Sequence, residues 1–351
     1  MNWQANVRTV TPYVAGEQPK DKDIIKLNTN ECPYPPAPGV AAGLRRMDAA
    51  DMRLYPDPDC LVLTECLADY YGLSPEQVFV GVGSDDVLAL AYLTFFNSEK
   101  PILFPDISYS FYDVWADLYR IPYRTVPVDD DFRIIKENYV VENGGIIFPN
   151  PNAPTGVFEE LDLVEYIVSN NSGSVVIVDE AYVDFGGISA IPLIEKYDNL
   201  LVVQTFSKSR ALAGLRIGYA MGNRNLIKYL SDAKFAFNSY TMNRAALYLG
   251  VEAVLDVAYF KEITTRIMKT RDWFEKELDH LGFIYPKSSA NFIFATHPDI
   301  PGIELFTALR KHGIYVRHWN RPRISEYLRI TIGTDEEMKA IVDFLDGYMK
   351  V

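Results

Sequence analysis

Leu200-Leu-Val-Val-Gln-Thr-Phe-Ser-Lys-Ser-Arg-Ala-Leu-Ala-Gly-Leu-Arg-Ile-Gly218 runs from an apolar strand pattern directly towards a lysine. The run Leu200–Gln204 is short and rich in β-branched and aliphatic residues, the pattern of a strand buried on both faces. In an open α/β sheet, ligands bind outside the carboxyl ends of such strands. Lys208 therefore sits where burial lowers an amine's pKa and makes it nucleophilic. Ser207 and Arg216 would supply donors for a phosphate. Gly214 and Gly218 permit close approach of the backbone. A lone lysine is ordinarily a solvated surface group, but this one has chemically useful neighbours on both sides.

Working outward, the same texture repeats. Strand-like runs at Val78–Val82, Pro101–Phe104, Tyr123–Val126, Gly145–Phe148 and Ser174–Val178 alternate with helical stretches over 57–72, 85–96, 109–119 and 161–169. Strands alternating with helices predict a mostly parallel sheet covered on both faces. Before about Pro38 the chain is rich in Pro, Asn and Asp with little periodicity, and reads as an extended arm. Beyond Arg244 the texture changes. One long helix is predicted over 243–281, then short strands at 283–285, 291–295, 314–317 and 327–332, with helices near 302–312 and 335–349. That is an α+β texture and predicts a second, smaller domain.

Composition narrows the function. The chain has 351 residues, 48% hydrophobic and 23% charged, which describes an ordinary globular protein. Its formal charge is −13, from 47 acidic against 34 basic residues, a poor match to a nucleic-acid backbone. Three cysteines without a C-x-x-C pair, and four histidines without metal-ligand spacing, predict neither a disulfide framework nor a metal site and suit a reducing cytoplasm. No signal peptide or membrane span is predicted.

Other motifs carry chemistry. In Val175-Val-Ile-Val-Asp-Glu-Ala-Tyr182 four apolar residues run into Asp179. A carboxylate there costs several kcal/mol of desolvation unless a cation meets it. A protonated pyridine nitrogen would do so; helix capping or a structural arginine is the plainer alternative. Tyr182 lies three residues on. Gly81-Val-Gly-Ser-Asp-Asp86 is a Gly-rich turn opening a helix, which presents free N–H groups to an anion or simply connects strand to helix. Asn150-Pro-Asn-Ala-Pro-Thr-Gly156 is a dense turn, and Tyr109 in Ser108-Tyr-Ser-Phe-Tyr112 offers an aromatic face.

Taken together, N-P-x-x-P-T-G, D-E-A-Y and S-K-x-x-x-L-x-G-L-R-x-G, in this order, resemble the fold type I, class I/II aminotransferases over essentially the whole chain. The resemblance implies an α/β fold whose large domain holds a mostly parallel seven-stranded sheet between helices, with a smaller α+β domain. It implies an arm over 1–40, a large domain over 41–245 and a small domain over 246–351. The implied cofactor is pyridoxal 5'-phosphate, with Lys208 its covalent anchor and proton shuttle and Asp179 the partner of its ring nitrogen. Tyr182 is implied as donor to the ring hydroxyl and Tyr109 as the stacking aromatic. Gly83, Ser84 and Asp85, with Ser207 and Arg216, are implied as the phosphate cup. There is one departure: relatives read N-N-P-T-G, and their asparagine before Pro touches the ring hydroxyl. Here that position is Ala153, so either Asn152 turns inward or Tyr182 works without that bond.

Thr11-Pro-Tyr13, Leu27-Asn-Thr-Asn-Glu31, Arg53-Leu-Tyr-Pro-Asp57 and Tyr327-Leu-Arg-Ile-Thr-Ile-Gly333 are similar to signatures of the histidinol-phosphate branch of that family. This implies a phosphorylated amine and the 2-oxoglutarate/glutamate pair as substrates, with Tyr13, Asn28, Arg317 and Arg329 at the substrate. It also implies a homodimer in which Tyr55 reaches the partner's cofactor phosphate, with no nucleic-acid or membrane partner. An aromatic aminotransferase, a phosphothreonine decarboxylase and a non-enzymatic regulator are the competing readings.

Overall fold

The computed structural model describes residues 2–20 and 24–350. Part of the expected arm, residues 1 and 21–23, lies outside them. The core of the molecule is a seven-stranded sheet: β2 (Val78–Gly81), β3 (Ile102–Pro105), β4 (Tyr123–Val126), β5 (Gly145–Pro149), β6 (Val176–Asp179), β7 (Leu200–Thr205) and β8 (Gly218–Gly222). Their order is β2-β8-β7-β6-β5-β3-β4, and only β8 runs antiparallel to its two neighbours. Every residue of β2, β3 and β5–β8 is buried. The edge strand β4 leaves Tyr123, Arg124 and Thr125 exposed, which blunts an edge that could otherwise pair with another chain.

Period-two alternation decides which face each side chain serves. Ile146, Phe148, Val176, Val178, Leu200 and Val202 join one core. Their neighbours Ile147, Ile177, Leu201 and Val203 join the other. The first face is covered by α1 (Pro38–Arg46), α2 (Leu61–Tyr71), α5 (Leu161–Ser169) and α7 (Arg244–Leu255). The second is covered by α3 (Ser84–Phe95), α4 (Tyr112–Tyr119) and α6 (Arg224–Phe237).

A smaller sheet, β11-β12-β9, combines β9 (Phe292–Ala295), β11 (Arg317–His318) and β12 (Leu328–Thr331), all antiparallel. With α8 (Val257–His280), α9 (Gly302–Lys311) and α10 (Asp335–Met349) it encloses its own core around Phe274, Phe292, Ile330 and Ile341. The arm contributes β1 (Ile25–Lys26), which pairs in parallel with β10 (Ile314–Tyr315).

Several details depart from the sequence expectations. The helix expected over 243–281 breaks at Asp256, whose side chain accepts the Tyr259 N–H and so caps α8 as a separate helix. The boundaries expected at 40/41 and 245/246 both fall inside helices. α7 packs in the large core through Ala246, Leu249 and Ala253, so the backbone turns towards the small sheet at Asp256. The strand expected at 314–317 is two strands in different sheets, and 283–285 makes only an isolated bridge, Ile284 with Thr296. The strands β1 and β8 and the helices α1 and α6 were not expected, although α6 buries Leu226, Ile227 and Leu230 along one face.

Candidate active site

A cavity of about 580 Å³ opens where β6 and β7 end and the small sheet and the arm close over them. Its wall includes Asn28, Ser84, Asp85, Tyr109, Asp179, Tyr182, Ser207, Lys208, Arg216, Arg317 and Arg329. Eleven residues from segments far apart in sequence thus share one space, because parallel strands place all their carboxyl ends along one edge.

Lys208 follows β7 by three residues and donates to the Thr29 carbonyl at 3.1 Å. Burial lowers its amine to about 8; Arg329 pushes the same way, while Asp85 and Glu31 oppose. Asp179 is the last residue of β6 and is only 4% exposed. It accepts from the Tyr112 hydroxyl at 2.9 Å and from the Ala181 N–H at 3.3 Å. Among the described residues no lysine, arginine or histidine lies within ion-pair distance of it, and burial raises its carboxyl to about 7. The site therefore presents a buried acid with no cationic partner among the described residues.

One end of the cavity is built from backbone and two side chains. Gly83 (φ +86) precedes the first turn of α3, where N–H groups lack intrahelical partners. A Cβ on Gly83 would lie 2.5 Å from the Arg216 guanidinium, and one on Gly218 would lie 2.2 Å from the Ser84 nitrogen. Gly218 is required by its close approach to backbone and Gly83 by its positive φ; Gly214 faces open space and is required by neither. Arg216 donates to Ser207 Oγ at 3.3 Å and lies 3.6 Å from Asp85, while Tyr109 donates to Asp85 at 2.9 Å.

On the opposite side, Arg329 donates to the Asn28 carbonyl at 3.1 Å, and its buried Nε has no partner. It has no carboxylate within ion-pair distance among the described residues. Arg317 holds the arm through the Val14 and Ala15 carbonyls. Asn28 donates to the Glu17 carbonyl and leaves its Oδ1 buried without a partner. Tyr13 stacks on Phe111 with centroids 4.1 Å apart. A smaller cavity of about 230 Å³ adjoins, lined by Tyr13, Tyr109, Ala153, Trp319 and Arg329 among others.

Of the expected residues Asn152 is directed elsewhere, and Tyr55, implied for the partner's site, lies outside the cavity of its own chain. Asn152 does not turn inward: its amide donates to the Ile107 carbonyl and Thr155 Oγ1, and Ala153 lines the cavity instead. Tyr55 is outside the cavity, 78% exposed and stacked on Tyr240. Sequence reasoning in turn missed Asn30, Tyr112 and Trp319. Asn30 lies in a quoted motif, but its partner Tyr182 is 152 residues away. The hydroxyl of Tyr112 carries no signal until β6 is placed beside it.

Among the described residues no cluster of His, Cys, Asp or Glu could hold a metal ion, and no helix is long and apolar enough to cross a membrane. Comparison with known proteins agrees with the geometry. The profile of the family "Aminotransferase class I and II" matches residues 22–345. The histidinol-phosphate aminotransferase of Lactococcus lactis subsp. lactis (strain IL1403) is 51% identical over 350 residues, covering 100% of this chain and 97% of the relative. That of Clostridium botulinum (strain Langeland) is 50% identical over 341 residues, covering 97% and 96%. The crystal structure of the Sinorhizobium meliloti histidinol-phosphate aminotransferase in complex with pyridoxal-5'-phosphate superimposes with a TM-score of 0.84 at 23% identity, covering 92% and 91%. With a matched profile over nearly its whole length and half-identical relatives, the chain belongs to the class I and II aminotransferases.

Proposed function

We propose that this chain is a pyridoxal-phosphate-dependent transaminase that exchanges the amino group between glutamate and histidinol phosphate, in histidine biosynthesis. The observation that carries the reading is the buried Asp179 without a counter-ion, in the same cavity as an amine lowered to about 8. An uncompensated buried acid fits a cationic ring nitrogen. The Gly83–Asp85 turn with Ser207 and Arg216 fits a phosphate. The names of the half-identical relatives support histidinol phosphate as one of the two substrates.

In this reading Lys208 anchors the cofactor, Asp179 holds its ring nitrogen, Tyr109 covers the ring and Tyr182 faces the ring hydroxyl. Bound pyridoxal phosphate supplies an electron-withdrawing ring that stabilises negative charge on the substrate's α carbon. Lys208 Nζ takes up the proton leaving that carbon. A lysine held near pKa 8 is neutral often enough at physiological pH to act as the base. Arg329 and Arg317, with Tyr13 and Asn28, bind the substrate's distal phosphate or the carboxylate of glutamate. Arg329 is the stronger candidate because its guanidinium is desolvated and lacks a protein anion.

The working form is a homodimer. Met52, Leu54, Tyr55, Leu61, Val62 and Tyr248 are exposed on one continuous face beside Arg244, and such a face is ordinarily covered. Tyr55 would then reach the partner's site. The cytoplasm suits its unpaired cysteines.

The test is to mix cofactor-loaded protein anaerobically with histidinol phosphate. The visible band should be replaced by the near-ultraviolet band of the aminated cofactor, without release of carbon dioxide, and return on adding 2-oxoglutarate. Lys208→Ala should abolish turnover. A response to phosphothreonine with gas release, or only to phosphate-free aromatic amino acids, would overturn the reading.

A further inference from the structure

We propose that Asn30 is a positioning residue that aims the Tyr182 hydroxyl proton into the cavity, doing the work for which Ala153 has no side chain. This inference rests on the cofactor reading above. Asn30 is 1% exposed and held at φ +54, a conformation asparagine tolerates better than most residues. Its Nδ2 lies 2.8 Å from the Tyr182 hydroxyl. Three contacts fix it in place. Its backbone N–H donates to Thr331 Oγ1, its carbonyl accepts from the Asn291 amide, and Thr331 Oγ1 donates to its Oδ1 at 3.1 Å.

The direction of this chain follows from donor inventory. Thr331 Oγ1 takes the Asn30 backbone proton on a lone pair, and among the described residues the one acceptor for its own proton is Asn30 Oδ1. That settles which end of the Asn30 amide faces Tyr182: the NH₂ does. The tyrosine oxygen therefore accepts, and its own proton is left to donate into the cavity, where Tyr182 is a wall residue. Ala153 lines the same space and offers no amide, while the Asn152 amide is spent on Ile107 and Thr155.

The charged groups acting on Tyr182 are Arg329 on β12, Asp179 at the end of β6 and Asp85 on α3, with Lys208 Nζ 5.8 Å from the ring centroid. Burial raises the phenol; Arg329 and the Asn30 bond oppose it. Adjacent residues serve the same site, since Asn28 accepts from Arg329 and Thr29 accepts from Lys208. The stretch 28–30 is a single spine behind three site groups.

The experiment is a pH titration of the visible band in cofactor-loaded protein, together with the cofactor's dissociation constant, for Asn30→Asp, Asn30→Ala and Tyr182→Phe. One hydrogen bond to a charged form shifts a titration by about one pK unit. Asn30→Asp is nearly isosteric but presents oxygen to the tyrosine and draws its proton away. It should raise the band's midpoint by about one unit or more and weaken cofactor binding about tenfold. Asn30→Ala should shift it less, and adding Ala153→Asn should bring it back. Should the Asn30 variants unfold, as melting curves would reveal, Thr331→Val carries the test: it leaves Asn30 present but free to flip, and should move the midpoint in the same direction. Midpoints unchanged in Asn30 or Thr331 variants, with a shifted Tyr182→Phe, overturn this inference alone. Wild-type protein with no visible band overturns the cofactor reading, and this inference with it.

Discussion

The two sides of the cavity are built differently. The cup at the sheet edge is local. Arg216 bonds Ser207 nine residues away, Asp179 takes the N–H of Ala181, and Gly83 and Gly218 touch because β2 and β8 are paired. The opposite wall is assembled from the ends of the chain. Arg329 reaches Asn28 across 301 residues and Arg317 reaches Val14 across 303. The glycine-lined cup is complete once the large sheet forms, whereas the wall exists only when the arm lies on the small sheet, and from there the stretch 28–30 also reaches back to Lys208 and Tyr182. In the proposed reading the first holds the cofactor and the second chooses the substrate. Division of this kind lets one part vary while the other is kept.

Substitutions should respect that division. The largest effect belongs to the cup. Asp179→Asn replaces the buried acid with a neutral group, and kcat should fall on the order of a hundredfold or more, with an altered visible spectrum. Steady-state kinetics and absorbance of the loaded protein check it, and an unchanged kcat would dissolve the distinction between cup and wall. A smaller effect belongs to the wall. Arg329→Gln should leave cofactor binding intact and lower kcat/KM by roughly ten- to a hundredfold, mostly through KM. Arg317→Gln should do less, because that guanidinium is partly exposed and already committed to arm carbonyls. If Arg329→Gln instead disturbed cofactor binding, the wall would have to be counted as part of the cup.

The same contrast explains what could be read in the sequence. Strands such as Val176–Asp179 and Leu200–Thr205 announce themselves because burial on both faces needs an unbroken apolar run. Lys208, Asp179, Arg216 and the Gly83 turn were legible because each follows or precedes such a run at short range. β8 escaped because Gly218-Tyr-Ala-Met-Gly222 has glycines at both ends and no alternation. α7 and α8 looked like one helix because a single Asp256 cap weighs little against periodicity on either side. Asn30 was passed over for Asn28 because nothing in a chain of consecutive polar residues says which one a strand 301 residues on will meet. Tertiary partners decide such cases, and no local pattern encodes them.

The last effect is one of stability, in the cup when nothing neutralises it. In the cofactor-free protein the Asp179 carboxyl is raised from 3.8 to about 7 by burial. A group whose folded pKa lies above its unfolded value contributes stability below the unfolded value and loses it as pH rises through the folded one. Asp179 should therefore cost cofactor-free protein progressively more stability from about pH 4 to about pH 7. Lys208 behaves oppositely, lowered from 10.5 to about 8, so its contribution is present at high pH and is lost as pH falls through 8. Around neutrality both groups are at least partly charged and buried. Replacing the acid by Asn should stabilise the cofactor-free protein near pH 8 by on the order of 4 kcal/mol relative to its effect at pH 4, from a rise of about three pK units at about 1.4 kcal/mol each. Melting curves of both cofactor-free proteins from pH 4 to 8 give the comparison. A difference that stays constant with pH would mean that the acid is not strained in the empty cup. A difference that grows with pH, then reverses when cofactor is added, would mean the strain is relieved by the ring that the cup is shaped to receive.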